Sequence, residues 1–465
     1  MSLDEVSGFV CAGCGTAVPA TAHPFGCPSR RPGDDIDHLL VRAPLSPAPP
    51  WPTDNHPNPF VRWRRFLYSY DVARHAGVSD DEFVQLVLDL DRAVQAADHR
   101  QFKTTPFGPV ARLSEALGGA EVWVKDETGN VSGSHKARHL MGVALHLEVM
   151  GLLGLDLGDK ALAIASCGNA ALAAAVVAKA AERELSVFIP PDANPKVVAQ
   201  LEELGAKVGI CHRQPGVEGD PCYLGFQAAV ADGGMLPFCC QGPDCGLTVE
   251  GGQTLAWEMA AELGRKGVDL DDLYVQVGGG ALASAVVRGL GQARELEVLG
   301  RLPRLHPVQT EGCWPLVRAW EGVVAHALAA LGQEIPEAWP ARAAALAAAP
   351  EAPEAIEAAL AHARTHKSAY MRPWETPPVS LAHGILDDET YDWFAIVEGT
   401  VRSGGWPVIV NDDDIRQAVQ LAHQQARVRA CTTGVSGLAG ALVDRRRHAA
   451  SLGGRVGVIL SGVER

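Results

Sequence analysis

Lys136 is the residue in this chain best placed to do chemistry. It closes the small-residue run Thr128-Gly129-Asn130-Val131-Ser132-Gly133-Ser134-His135 and opens a stretch with Leu140, Val143, Ala144 and Leu147 at helical spacing. A lysine at such a junction is partly desolvated, loses its proton more readily and can join an aldehyde as a Schiff base. The ordinary alternative is a solvated surface lysine, and the motifs that follow argue against it. Val277-Gly278-Gly279-Gly280-Ala281-Leu282 joins a strand-like run to a helix-like one. Glycines there free backbone N–H groups to face a phosphate, and a helix N-terminus adds a favourable dipole. Gly278, Gly280 and Ala283 also fit the G-x-G-x-x-A fingerprint of dinucleotide enzymes. The loop alone does not separate the two uses. That fingerprint usually opens its domain, whereas this loop lies past the middle of the chain.

A third group of reactive residues lies near the start. Cys11 and Cys14 form a C-x-x-C turn, and Cys27 follows. Two thiols on one tight turn aim their sulfurs the same way and can grip one zinc ion. Three cysteines leave a closed site one ligand short. His38 is preferred over His23 as the fourth, because Asp35 and Asp37 stand ready to orient its imidazole. A loop of free thiols is the alternative of equal weight.

The elements that must position these residues alternate between strand and helix. Glu121–Lys125, Ala161–Ser166, Leu185–Ile189, Leu273–Val277, Pro307–Gln309, Pro407–Val410 and Val456–Leu460 read as short buried strands. Lys136–Met150 and Ala170–Ala180 read as helices, and Asn194-Pro195 as a third helix start, with a capping side chain before proline at the first helical position. Such alternation implies a mostly parallel, helix-covered sheet, hence an α/β fold. We divide the chain into an N-terminal extension (1–50), a lobe carrying Lys136 (51–245) and a lobe carrying the glycine loop (246–465). Residues 320–375, rich in Ala, Glu and Pro, break the rhythm and read as a helical insertion.

The chain has 465 residues, 47% of them hydrophobic and 20% charged, which allows two large cores. Its net charge of −15 argues against nucleic-acid or anionic-membrane partners, and no apolar run is long enough to span a bilayer. The start lacks a basic-then-apolar signal pattern. The 11 cysteines, mostly in apolar segments, are expected as reduced thiols and the protein as cytoplasmic.

Five segments in order resemble the fold-type II pyridoxal-phosphate enzymes, the group of threonine synthase, the threonine and serine dehydratases, cysteine synthase and the tryptophan synthase β-subunit. They are Gly133-Ser134-His135-Lys136; Ser166-Cys167-Gly168-Asn169-Ala170; Glu250-Gly251 with Thr254, Ala256 and Glu258; Val277 to Leu282; and Leu460-Ser461-Gly462. Thr105-Pro106 matches the opening of these domains. The resemblance spans about residues 100 to 465. Each segment is weak by itself, and the ordered set is strong. It implies two lobes with pyridoxal phosphate between them, Lys136 as the Schiff-base residue, and Gly278, Gly279, Gly280, Ala281 and Leu282 around the phosphate. It also implies Asn169 at the cofactor O3′, Ser166, Gly168 and Ala170 at the substrate carboxylate, and Ser461 facing the ring nitrogen. A neutral hydroxyl there makes the ring a weaker electron sink than an aspartate would. That favours early loss of a β-leaving group over transamination.

The resemblance therefore implies a homodimeric lyase acting on a small-molecule amino acid, by β-elimination or by β-replacement through an aminoacrylate. Threonine synthase-type chemistry on a phosphorylated substrate is the runner-up. A dinucleotide oxidoreductase and a non-catalytic cofactor binder stand further off. Three departures blur the substrate. His135 replaces the usual Phe, Ala137-Arg138 follows the lysine, and Cys431-Thr432-Thr433-Gly434 stands where dehydratases carry Glu-Pro-Ser-Gly. Gln309-Thr310-Glu311-Gly312-Cys313 and Gly437-Leu438-Ala439-Gly440 read instead like threonine synthase. Segment 383–394, with His383, Asp387, Asp388 and Tyr391, reads as an exposed polar loop or as a lid.

Overall fold

The computed structural model describes residues 3–45, 47–155, 158–217, 219–449 and 452–464. Its strands in chain order are β1 (Phe9–Cys11), β2 (Ala17–Val18), β3 (Leu40–Arg42), β4 (Phe107–Pro109), β5 (Glu121–Asp126), β6 (Ala161–Ala165), β7 (Leu185–Ile189), β8 (Lys207–Ile210), β9 (Met235–Pro237), β10 (Asp272–Gln276), β11 (Arg304–Thr310), β12 (Val408–Val410) and β13 (Arg455–Leu460). They form three sheets: an antiparallel ribbon β2-β1-β3, a four-stranded parallel sheet β8-β7-β6-β9, and a six-stranded sheet β12-β11-β10-β13-β5-β4. Only the edge strand β4 runs antiparallel in the larger sheet.

Burial on both faces explains the strands. β10 is buried at all five positions and β13 at five of six, and their cores, Leu273–Val275 and Val456–Leu460, read as continuous apolar runs. Sheet membership cuts across chain order. β5 pairs with β13 from Glu121 opposite Arg455 to Asp126 opposite Leu460, which sets the strand before Lys136 into the sheet of the second half. Two cores result. One packs around the six-stranded sheet and includes Leu273, Val275 and Ile459; the other packs around the smaller sheet and the helices of residues 59–98.

Helix Lys136–Leu152 lies in the second of these cores. It crosses helix Thr248–Lys266 at backbone contact. A Cβ added at Gly142 would lie 2.9 Å from the Gly251 Cα, and one at Gly251 would strike the Arg138 carbonyl. The segment 320–375, expected to be helical, is largely so, in Pro315–Ala330, Trp339–Ala348, Ala352–Thr365 and Lys367–Tyr370, with non-helical chain between the first two and after Tyr370. Among the described residues no helix is long and apolar enough to cross a membrane.

Candidate active site

Three of the expected motifs follow three adjacent parallel strands. β10, β13 and β5 are neighbours, and from their carboxyl ends run the glycine loop, Ser461 and the turn to Lys136. Ligands of open α/β sheets bind outside such carboxyl ends. The fourth motif, Ser166 to Ala170, follows β6 in the smaller sheet and faces the others. A Cβ at Gly462 would sit 2.7 Å from the Asn169 Nδ2, so Asn169 reaches across to the strand end that carries Ser461.

The turn into Lys136 is held from β13. Ser132 and Gly133 take positive φ, of 52° and 66°. The His135 N–H donates to the Ser461 carbonyl at 3.1 Å, and the His135 Nδ1 stands 3.1 Å from the same oxygen. A carbonyl only accepts, so Nδ1 carries the hydrogen and Nε2 is left as an acceptor, with no partner among the described residues. Burial, helped by the nearby Lys136, pushes the His135 imidazole down to about 3, so it is neutral in this site. Lys136 itself is half-buried and makes no ion pair among the described residues.

Beneath Lys136 lies a wholly buried charge network. Arg138 donates to Glu127 at 2.8 and 3.0 Å, to Glu258 at 2.8 and 3.0 Å, and to Thr254 and Thr105. Lys125 donates to Glu258 at 2.5 Å and to the Thr105 carbonyl at 3.0 Å. Two cations face two carboxylates, so the cluster is neutral as a whole. Burial still pulls the Lys125 ammonium down, against the opposing attraction of Glu258 and Glu127. Thr105, Lys125, Glu127 and Arg138 belong to the first half of the chain, Thr254 and Glu258 to the second.

Gln276 fixes Ser461. Its Nε2 lies 3.1 Å from the carbonyls of both Gly434 and Ile459 and 2.5 Å from the Ser461 Oγ. Two carbonyls dictate the amide's orientation, so the amine side must face them. The amine has two hydrogens for three oxygens and no lone pair to accept with, so Gln276 does not take the Ser461 hydrogen, which is free to be donated elsewhere.

The glycine loop is tight. Gly280 takes φ 102° and caps helix Ala281–Glu295, a conformation that a side chain would oppose. The N–H groups of Gly280, Ala281 and Leu282 have no acceptor among the described residues, as the first turn of a helix leaves them. A side chain at any of the three glycines would collide with segment 384–396: with Asp387 and Ile385 at Gly278, Tyr391 at Gly279, and Ile396 and Asp392 at Gly280. This corrects the reading of 383–394 as an exposed loop. His383 is exposed, but Thr390, Tyr391 and Asp392 are buried against the glycines. Burial lifts the Asp387 carboxyl to about 6, with Lys136 opposing and Asp388 adding to the rise; the Gly279 N–H also leans on it. Asp392 rises to about 7, again through burial, against the pull of Arg288.

These features fit pyridoxal phosphate. Unpaired N–H groups at a helix start suit its phosphate, a half-buried lysine without an ion pair suits its aldehyde, and a free hydroxyl hydrogen suits its ring nitrogen. Ser166 begins the facing loop, where its Oγ accepts the Gly168 N–H at 3.4 Å. From the sequence, Asp387 is named only as part of segment 383–394, and neither Gln276 nor Asp392 is singled out. Asp392 shares that segment's reactive composition, and Gln276 has no signal of its own.

The N-terminal thiols also gather. Ligand atoms of Cys11, Cys14, Cys27 and His38 all lie within 4.8 Å of one another. The carboxylate on His38 is Asp34, at 3.0 Å from Nε2, not Asp35 or Asp37. His23 turns away to His146, with ring nitrogens 3.2 Å apart.

Residues 100–367, more than half of the chain, match the family described as "Pyridoxal-phosphate dependent enzyme". The tryptophan synthase beta chain of Staphylococcus aureus (strain bovine RF122 / ET3-1) is 30% identical over 190 residues, 39% of this chain and 46% of that one. The threonine synthase of Methanosarcina acetivorans is 29% identical over 227 residues, 46% of this chain and 49% of that one. The chain spans about half the length of the curated relatives it matches. Among solved structures, diaminopropionate ammonia lyase from Escherichia coli superimposes with a TM-score of 0.56 at 15% identity, covering 82% of this chain and 89% of that one. A threonine deaminase from T.th. does so at 0.54 and 21% identity, covering 81% and 98%. At such identities the likeness is one of fold. The family match runs across Lys136, the Ser166 loop and the glycine loop together, and by it this chain belongs to the pyridoxal-phosphate dependent enzymes.

Proposed function

We propose that this enzyme is a lyase that removes a β-substituent from a hydroxy- or otherwise substituted amino acid, by β-elimination or with β-replacement. The observation that carries the reading is the Ser461–Gln276 pair. Bound pyridoxal phosphate supplies an aldehyde for the lysine and a conjugated ring that takes up the electron pair left when the substrate Cα–H proton departs. Because the Gln276 amine beside it cannot accept, the Ser461 hydrogen is left for the ring nitrogen, and a ring nitrogen that accepts it would stay unprotonated. Such a ring stores negative charge poorly, so a leaving group on Cβ departs promptly.

The remaining roles follow from position. Lys136 holds the cofactor, takes the proton from Cα and returns one to the departing group. The N–H groups of Gly280, Ala281 and Leu282 hold the phosphate, with Gly278 and Gly279 giving it room, and the Ser166–Ala170 loop grips the substrate carboxylate. Asn169 braces the cofactor from across the cleft. His135, neutral and buried, contributes shape and an acceptor nitrogen and no charge.

Threonine synthase-type chemistry would bring a second phosphate into the same cleft. Burial raises the Asp387 and Asp388 carboxyls there, and the nearby Asp220 carboxylate adds to both, so a further dianion would meet a cluster of acids. That ranks an unphosphorylated substrate first.

The test is a panel of amino acids bearing β-leaving groups, offered to fully loaded enzyme, with keto acid, ammonia and released substituent measured. Turnover of at least one member with loss of its β-group is expected. Racemisation alone, or no product from any member, overturns the reading. In Ser461→Asp, elimination should fall and conversion of the cofactor to its amine form should appear; full elimination without that side product contradicts the electronic argument.

A further inference from the structure

We propose that Cys11, Cys14, Cys27 and His38 bind one structural zinc ion, and that this ion clasps the N-terminal ribbon across both lobes. Tetrahedral zinc, with bonds of about 2.3 Å to sulfur and about 2.0 Å to nitrogen, sets its ligand atoms roughly 3.8 Å apart for two sulfurs and roughly 3.5 Å for sulfur and nitrogen. The Cys14 and Cys27 sulfurs lie 3.6 Å apart, and the Cys11 sulfur lies 3.5 Å from the His38 Nδ1. Two of the six ligand-atom pairs therefore already stand at the spacing of one coordination sphere, and all four atoms lie within 4.8 Å of one another.

Two further features fit a metal. The His38 Nε2 faces the Asp34 carboxylate at 3.0 Å. A carboxylate only accepts, so Nε2 carries the hydrogen and Nδ1 points its lone pair at the thiols, the arrangement in which histidine ligates zinc. The Cys14 N–H points to the Cys11 sulfur at 3.5 Å, which suits a thiolate better than a thiol. Four protein ligands fill the tetrahedron, and Cys11, Cys27 and His38 are buried, so no position is left for a substrate and the role is structural.

The segment that supplies His38 also reaches the second half of the chain. The Asp37 N–H donates to the Arg364 carbonyl, and the Asp35 carbonyl accepts the Lys367 N–H, both at 2.9 Å. The Asp35 carboxylate accepts the N–H and hydroxyl of Ser368 at 2.7 and 3.0 Å. The Gly246 N–H, at the start of that half, donates to the carbonyls of Pro24 and Phe25. Leu39 packs at Gly242, whose N–H donates to Asp392 beside the glycine loop. One ion thus fixes a ribbon that touches the helices of residues 352–370 and the wall of the cleft.

The experiment takes full-length protein purified without chelator, measures its metals, and separately loads it with cobalt(II) in place of zinc. About one zinc per chain is expected, together with the intense sulfur-to-cobalt absorption of a tetrahedral thiolate site. Cys14→Ser and Cys27→Ser should lose both signals, and Cys211→Ser should keep them. If the serine variants do not fold, titrating wild-type thiols with a mercurial while following zinc release gives the same answer, as one burst of metal. Under about a tenth of an equivalent of metal with no cobalt band overturns the proposal, as does a Cys14–Cys27 disulfide in the isolated protein. Cofactor absorbance read on the same samples keeps this outcome separate from that of the active-site assignment.

Discussion

Lys125 and Lys136 lie eleven positions apart on either side of one turn, and they are treated in opposite ways. Lys125 is fully buried, and its ammonium is held by Glu258 and the Thr105 carbonyl. Lys136 is half-buried and has no carboxylate paired to it among the described residues. The first lysine is spent on architecture. A carboxylate as close to Lys136 as Glu258 is to Lys125 would hold its proton in place and quench its nucleophilicity. The contrast teaches that charge saturation one turn below the site is what leaves an unsaturated amine tolerable within it.

The comparison breaks most sharply at the lysines themselves. Lys136→Ala should end covalent cofactor attachment and lower turnover by about a thousandfold or more. Borohydride reduction followed by peptide mapping checks this, and an adduct on any other lysine would sink the assignment. Glu258→Ala attacks the saturated side instead. It leaves Lys125 and Arg138 sharing one carboxylate in the core and should cost about 3–5 kcal/mol, read as a lower denaturant midpoint. A near-neutral result would mean the network is dispensable.

Two smaller effects sharpen the picture at the cleft. Gly279→Leu places a side chain against Tyr391 and should weaken cofactor affinity by about tenfold or more, measured by equilibrium titration of the cofactor's absorbance. Unchanged affinity would move the phosphate elsewhere. Asp392→Asn is the mildest. Burial lifts the folded-state carboxyl from 3.8 to about 7, with Asp37 adding to the rise and Arg288 and Lys136 opposing it. The folded form therefore bears the burden of a buried charge only as pH climbs from about 4 through 7. The variant should melt a few degrees higher than wild type at pH 8, on the order of 1–3 °C, and the gain should vanish towards pH 4. A gain that is constant with pH would assign the effect to packing.

What the sequence disclosed follows from how local each signal is. The Lys136 turn, the Ser166 loop, the glycine loop and the C-x-x-C pair are contiguous, so their chemistry is visible in a few letters. Buried parallel strands such as β10 and β13 are legible because both faces demand apolar residues. The order β10-β13-β5 was not, since it pairs Asp272 with Val456 and Glu121 with Arg455, residues far apart in the chain. Gln276 looks like any polar residue at a strand end until the carbonyls of Gly434 and Ile459 arrive beside it. Asp387 and Asp392 lay in a segment whose polarity suggested solvent, and only tertiary packing turned them towards the glycines. The ribbon strands, two or three residues each, are too short to show a period.

The backbone contact between Gly142 and Gly251 works as a distance gauge. It sets how near helix Lys136–Leu152 comes to its neighbour, and the reactive amine is the first residue of that helix. A single methyl group at Gly251 would meet the Arg138 carbonyl and push the helix start outward. A shift of about 1 Å in a reacting group can cost on the order of a hundredfold in rate. Inactive variants that still fold and still carry their cofactor should therefore map to this seam, well away from any residue that touches substrate.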